Sequence, residues 1–99
     1  MIGTEISPAL QAAIEAVVRQ ELGRFGVSEV EVIDSEDADG DPLILVNVHY
    51  RASEAEPDFK VASKTLTKLN DKLFELKEPR FAYIRHKVPE ATPEPRGRR

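Results

Sequence analysis

Two stretches of this chain show the three- and four-residue spacing of apolar positions that predicts amphipathic helices. The first begins at Ser7-Pro8, where the serine can cap free backbone amides, and runs to Leu22. The second begins at Pro57-Asp58 and runs to about Lys77, just before Pro79. Its apolar seam consists of Phe59, Ala62, Leu66, Leu69, Leu73 and Leu76.

Three further segments show strand patterning. Val27 to Asp34 alternates valine with glutamate, and Leu43 to Tyr50 is apolar, β-branched and free of glycine and proline. Phe81 to Val88 predicts a third strand. Ser35 to Pro42 contains Asp39-Gly40, a dipeptide that favours a hairpin turn between the first two strands.

The predicted order is therefore α-β-β-α-β. Because each helix has one apolar stripe, both helices should pack on one face of a three-stranded sheet, an α+β two-layer sandwich. The right-handed crossover rule makes the third strand parallel to the second, either beside it or across the first strand. Residues 1–88 form one predicted domain, and the proline- and arginine-rich residues 89–99 a disordered tail.

The composition excludes several kinds of functional site. The chain has 99 residues and no cysteine, which excludes disulfides, thiolate metal sites and cysteine nucleophiles. No apolar run approaches the ~18 residues of a membrane span, and the first residues do not read as a signal peptide. We therefore expect a cytoplasmic protein that does not bind membranes.

The net charge of −4 conceals an asymmetry along the chain. Residues 1–58 carry thirteen acidic and three basic side chains, or −10, whereas residues 59–99 carry five acidic and eleven basic ones, or +6. Four lysines repeat along the second helix, on the side predicted to lie opposite its apolar seam: Lys60, Lys64, Lys68 and Lys72. Such a stripe can neutralise phosphates, so RNA binding is the alternative function, with Tyr83 as a stacking residue.

The polar motifs do not assemble into a predicted catalytic or metal site. The acidic turn would place Ser35, Asp37 and Asp39 as calcium ligands, but the required twelfth position is Val46, within a strand. His49 and His86 have no nucleophile or orienting partner at a telling spacing. We therefore predict no enzyme, no cofactor and no metal, and leave weak cation binding by the turn open.

The uncovered face of the sheet is the leading candidate for function. Both parities of the second strand are partly apolar, so large side chains must point away from the helices whichever parity is buried. We predict a small non-catalytic interaction module. Its partner is another protein, of a regulatory or antitoxin-like kind, or a second copy of itself. The predicted contact residues are Leu43, Leu45, His49, Phe81, Tyr83 and Arg85.

Residues 36–48 resemble a group of small bacterial proteins that share an acidic D-x-D-G-D-P hairpin, a Lys- or Leu-rich second helix and a final strand with an aromatic start. That resemblance carries no assigned activity. The element order is also similar to the KH-related fold of ribosome-binding factor A, which implies the alternative RNA-binding role.

Overall fold

The structure, a computed structural model, describes residues 6–52 and 57–89. Its elements follow the predicted α-β-β-α-β order, which confirms the α+β fold class: α1 (Pro8–Leu22), a short 3-10 turn (Gly23–Phe25), β1 (Val27–Glu36), β2 (Pro42–Tyr50), α2 (Phe59–Glu75) and β3 (Phe81–Lys87). The polar link at 53–56 and all but the first residue of the predicted tail lie outside the described residues. No helix in the described part of the chain is long and apolar enough to cross a membrane.

Both helices begin where the sequence predicts, and each begins at a side-chain cap. The Ser7 hydroxyl accepts a hydrogen bond from the Leu10 amide at 3.1 Å, and the Asp58 carboxylate accepts one from the Val61 amide at 3.0 Å. These caps satisfy amides that have no partner within the first helical turn. Each cap therefore fixes the residue at which its helix begins.

The sheet has the order β1-β2-β3, so the central strand is β2. The β1 strand pairs with β2 in antiparallel register and β3 pairs with β2 in parallel register. The third strand thus lies beside the second, one of the two orders that the sequence left open. At the turn, Gly40 adopts φ +85°, a conformation that favours glycine.

The core lies between the two helices and one face of the sheet. One parity of each strand contributes to it, together with the inward side of each helix. Its fully enclosed side chains include Ile14 and Val18 of α1, Ile44 and Val46 of β2, and Leu69 of α2. Both helices therefore cover the same face, as predicted, and leave the opposite face without a helix.

The predicted seam of α2 is wrong at both ends. The buried residues of this helix are Thr65, Leu69 and Leu73, whereas Phe59 is 84% exposed and Leu76 is 46% exposed. Phe59 is the first helical residue and lies about 80° around the helix from Leu69, because each residue turns by about 100°. Leu76 lies just beyond the last helical residue, so neither end of the predicted seam is enclosed in the core.

Asn70 of α2 ties this helix to the outer edge of β3. Its Oδ1 accepts a hydrogen bond from the Ala82 amide at 2.8 Å, and its Nδ2 donates to the Ala82 carbonyl at 3.1 Å. The side-chain amide thus pairs with β3 as a neighbouring strand would. One segment of an edge that could otherwise recruit another strand is occupied within the molecule.

Candidate interaction surface

Four residues of each strand point away from the helices and form what we call the open face. Cross-strand register arranges them in four rows, because residues directly opposite each other point to the same side of a sheet. Read from β1 through β2 to β3, the rows are Ser35, Leu43, Phe81; Ile33, Leu45, Tyr83; Glu31, Asn47, Arg85; and Glu29, His49, Lys87.

The first two rows form an apolar half of the open face. Ile33 is 39% exposed, Phe81 is 51% exposed and Tyr83 is 49% exposed. The Phe81 and Tyr83 rings lie edge to face, with centroids 5.4 Å apart. A shallow depression beside Tyr83 is lined by Leu43 and Leu45. Large exposed aromatic side chains next to a depression are typical of protein contact surfaces.

The other two rows form a charged half, with acids on one outer strand and bases on the other. Glu29 and Glu31 lie on β1, and Arg85 and Lys87 lie on β3, with β2 between them. Within the described part of the chain, Glu29, Arg85 and Lys87 make no ion pair. The open face therefore carries a charge dipole directed across its strands.

Glu31 is held by its neighbours on β2. Its Oε1 lies 2.8 Å from His49 Nε2 and accepts a hydrogen bond from Asn47 Nδ2 at 3.3 Å. The hydrogen bond from His49 is the main reason that the pKa of Glu31 lies below its ordinary value, followed by the hydrogen bond from Asn47. Glu31 is therefore a fixed negative charge near neutral pH.

Asn47 lies at the centre of the charged half and is only 6% exposed. Its Oδ1 is buried and has no hydrogen-bond donor among the described residues. An unsatisfied buried carbonyl costs on the order of 1–3 kcal/mol, so such a group usually has a reason to persist.

The structure places all six predicted contact residues on the open face, although their exposure differs. Phe81, Tyr83 and Arg85 are exposed, and Leu45 and His49 are half-buried. Leu43 is only 8% exposed and offers little surface to a partner. Their role in binding stays a prediction.

Sequence reasoning missed the contribution of β1 and the last residue of β3 to this face: Glu29, Glu31, Ile33 and Lys87. The alternation of Val30 and Val32 with the glutamates indicates which parity of β1 is outward. Residues of β2 that pair with the outward residues of β1 in the hairpin also point outward. The register is shifted by an irregularity between Val27 and Glu29, which no residue in the sequence marks.

The sequence predicts that the four lysines of α2 lie opposite its apolar seam along the whole helix. In the structure, only part of this stripe does so. Lys68 Nζ lies 3.4 Å from Glu21 Oε2 on α1, and Lys72 Nζ lies 3.5 Å from Glu75 Oε1. A four-residue repeat drifts around a helix of 3.6 residues per turn, so the stripe winds toward α1. Lys60 and Lys64 are exposed, and all four lysines lie on the helical side of the molecule, away from Tyr83.

The aspartates of the hairpin turn and His86 do not lie on the open face. In the hairpin turn, ligand oxygens of Asp37, Asp39 and Asp41 lie within 4.8 Å of one another. Asp37 Oδ1 accepts hydrogen bonds from the Asp39 and Asp41 amides, both at 2.9 Å, which accounts for its position in the turn. His86 lies on the helix-covered face with its Nδ1 2.7 Å from the Tyr50 hydroxyl, so the two histidines do not meet.

No family model matches this chain, and neither a curated protein nor a solved structure is similar enough to count as a relative. The resemblance to the small bacterial hairpin proteins and to the fold of ribosome-binding factor A therefore stays a prediction.

Proposed function

We propose that this protein is a non-catalytic, cytoplasmic interaction module that binds a protein partner through the open face. The observation that supports this function is the apolar half. Three large side chains, Ile33, Phe81 and Tyr83, remain 39–51% exposed in adjacent positions on a sheet face that the helices do not cover. Burial of such side chains by a partner removes apolar surface from water, which drives most protein association.

The composition of the charged half favours protein over nucleic acid. Arg85 and Lys87 would attract phosphates, but Glu29 and Glu31 lie on the same face and would repel them. The α2 lysines lie on the other side of the molecule, so they cannot join Tyr83 in one RNA-binding surface. A surface that carries both signs suits a partner with a matching pattern of charges.

The β3 edge of the sheet also favours binding through the face. Asn70 occupies the Ala82 segment of β3, so strand addition at this edge would require displacement of two hydrogen bonds. The open face needs no such displacement, since its side chains already point outward.

Site-specific photocrosslinking in the full chain tests this function. A benzophenone amino acid is placed at Tyr83 or Phe81 on the open face, and at Phe74 or Phe59 on α2 as matched controls. The control aromatics are 82% and 84% exposed, so mere exposure favours them over the open-face sites. In the cells that make the protein, we expect discrete polypeptide adducts from the open-face positions only.

Three results would contradict the proposal. They are the absence of adducts from both open-face positions, the same adducts from open-face and α2 positions, and adducts that disappear on nuclease treatment. The last result would support RNA binding instead. Adducts to another polypeptide and adducts to a second copy of this chain both support the proposed function.

A further inference from the structure

We infer that the partner of the open face is a second copy of this chain, related by a two-fold axis that runs along β2 between the two sheets. This inference rests on the proposed function and specifies its partner. It follows from the pattern of charges on the open face, which is complementary to itself under one rotation.

The rotation exchanges the outer strands and keeps the rows. With the axis parallel to β2, β1 of one copy lies over β3 of the other, and each row faces the same row of its partner. Glu31 then meets Arg85 of the second copy, and Glu29 meets Lys87. Each contact occurs twice by symmetry, as in any isologous dimer, which gives four complementary pairs.

The same rotation matches the apolar halves. Ile33 of one copy lies over Tyr83 of the other, and Leu45 lies near its own symmetry mate. Packed sheets are about 10 Å apart and cross at about 30°, a geometry in which side chains from the two faces interdigitate. The depression beside Tyr83 gives the second copy a place to insert a side chain.

Other face-to-face arrangements do not match. A two-fold axis across the strands would lay the apolar half of one copy on the charged half of the other. Arg85 and Lys87 would then face Tyr83 and Phe81 of the other copy, and Glu31 and Glu29 would face Ile33 and Ser35. None of these four charges would have an oppositely charged side chain opposite it, which is costly for a desolvated group. The charge dipole therefore selects the axis direction as well as the partner.

The size of the face sets the expected strength. Three strands and about seven residues along each give a face of about 14 by 20 Å. Two such faces have a flat area of about 560 Å² in total, below the usual size of specific interfaces, so we expect a weak dimer with a micromolar dissociation constant.

Charge-reversed variants of the full chain test the dimer. E29K/E31K makes the charged half wholly basic, and R85E/K87E makes it wholly acidic. Sedimentation equilibrium from about 1 to 300 µM brackets a micromolar dissociation constant. We expect the wild type to dimerise and each variant alone to associate at least tenfold more weakly, because like charges then face each other. An equimolar mixture of the two variants should recover dimerisation, since it restores all four complementary pairs.

A matched control and a second pair of variants keep the result interpretable. Phe74→Ala removes an exposed aromatic on α2 and should leave the dimer unchanged. If E29K/E31K loses its fold because Glu31 is hydrogen-bonded to His49, the single variants E29K and K87E replace the two doubles. Both of these residues are exposed and make no ion pair within the described part of the chain.

The outcomes separate this inference from the proposed function. A wild type that stays monomeric at 300 µM, roughly a hundredfold above a low-micromolar dissociation constant, overturns the dimer. So does self-association that neither charge-reversed variant weakens, or a mixture that fails to recover it. If open-face crosslinks to another polypeptide accompany a monomeric wild type, the interaction module stands and only the identity of its partner is wrong.

Discussion

Asn70 is the side chain whose removal tests most directly how the open face is held in place. It joins α2 to the outer edge of β3 through two hydrogen bonds with the backbone of Ala82, and its Nδ2 also donates to the Leu66 carbonyl at 3.1 Å. Ala82 lies between Phe81 and Tyr83, so its position sets theirs. The substitution Asn70→Ala removes these contacts and leaves the helix propensity of the site no worse.

The expected cost follows from the burial of Ala82, which is 0% exposed. Its amide and carbonyl lose their side-chain partners in a place where water has little access. Each lost hydrogen bond costs about 1 kcal/mol, and more where the remaining group stays unsatisfied, which gives about 2–3 kcal/mol in total. For a domain of this size that change corresponds to a fall in Tm of roughly 10–20 °C.

Urea unfolding measures the free energy, and amide hydrogen exchange at Ala82 measures the local contact. We expect Asn70→Ala to lower both the unfolding free energy and the protection of this amide. Thr67→Ala, an exposed substitution on the same helix, serves as the control and should stay within about 0.5 kcal/mol of the wild type. A variant Asn70→Ala as stable as this control, with the Ala82 amide still protected, would refute the reasoning.

Two further predictions concern the segment between α2 and β3. Lys77 has φ +61°, which is unfavourable for a residue with a Cβ, so Lys77→Gly should raise stability by about 0.5–1 kcal/mol in urea unfolding, whereas the mid-helix control Lys64→Gly should lower it. A loss of stability in Lys77→Gly would contradict this. The Arg80 guanidinium, 2.7 Å from Glu78, lowers the pKa of that carboxyl, so its stabilisation is present at neutral pH and lost as the pH falls through the lowered value. Thermal unfolding should show Glu78→Gln less stable than the wild type at about pH 7 and equally stable at about pH 2; a difference independent of pH would argue against the ion pair.

The sequence predicts the elements because each is specified locally. Ser7 and Asp58 cap the helices, and Gly40 allows the hairpin turn. The side of β2 that faces the helices is not specified locally, because both sets of alternating residues in β2 are largely apolar and either could be buried. The valines of β1 must face the core, and the residues of β2 that pair with them point to the same side. Which side of β2 is buried therefore depends on the hairpin register. Register is a property of paired strands, so no single segment reveals it.

The error on α2 has a similar origin. A seam of alternating three- and four-residue steps has a period of 3.5, whereas the helix has 3.6 residues per turn, so the two drift apart over four turns. Phe59 and Leu76 fit the spacing but lie outside the buried side of the helix. Asn70, in contrast, has no hydrophobic signal, yet it makes the contact that joins α2 to β3.

Asn70 occupies part of the β3 edge, and we propose that association uses the open face instead. An edge strand with free backbone groups would pair with any extended chain, with little selectivity for its side chains. The open face, in contrast, presents side chains in fixed rows, and those rows distinguish partners by charge and by apolar match. Because its acids lie on one outer strand and its bases on the other, a copy of the same face is complementary to this row pattern. Changes in the charges of β1 and β3 should therefore alter which chains associate before they alter whether the chain folds.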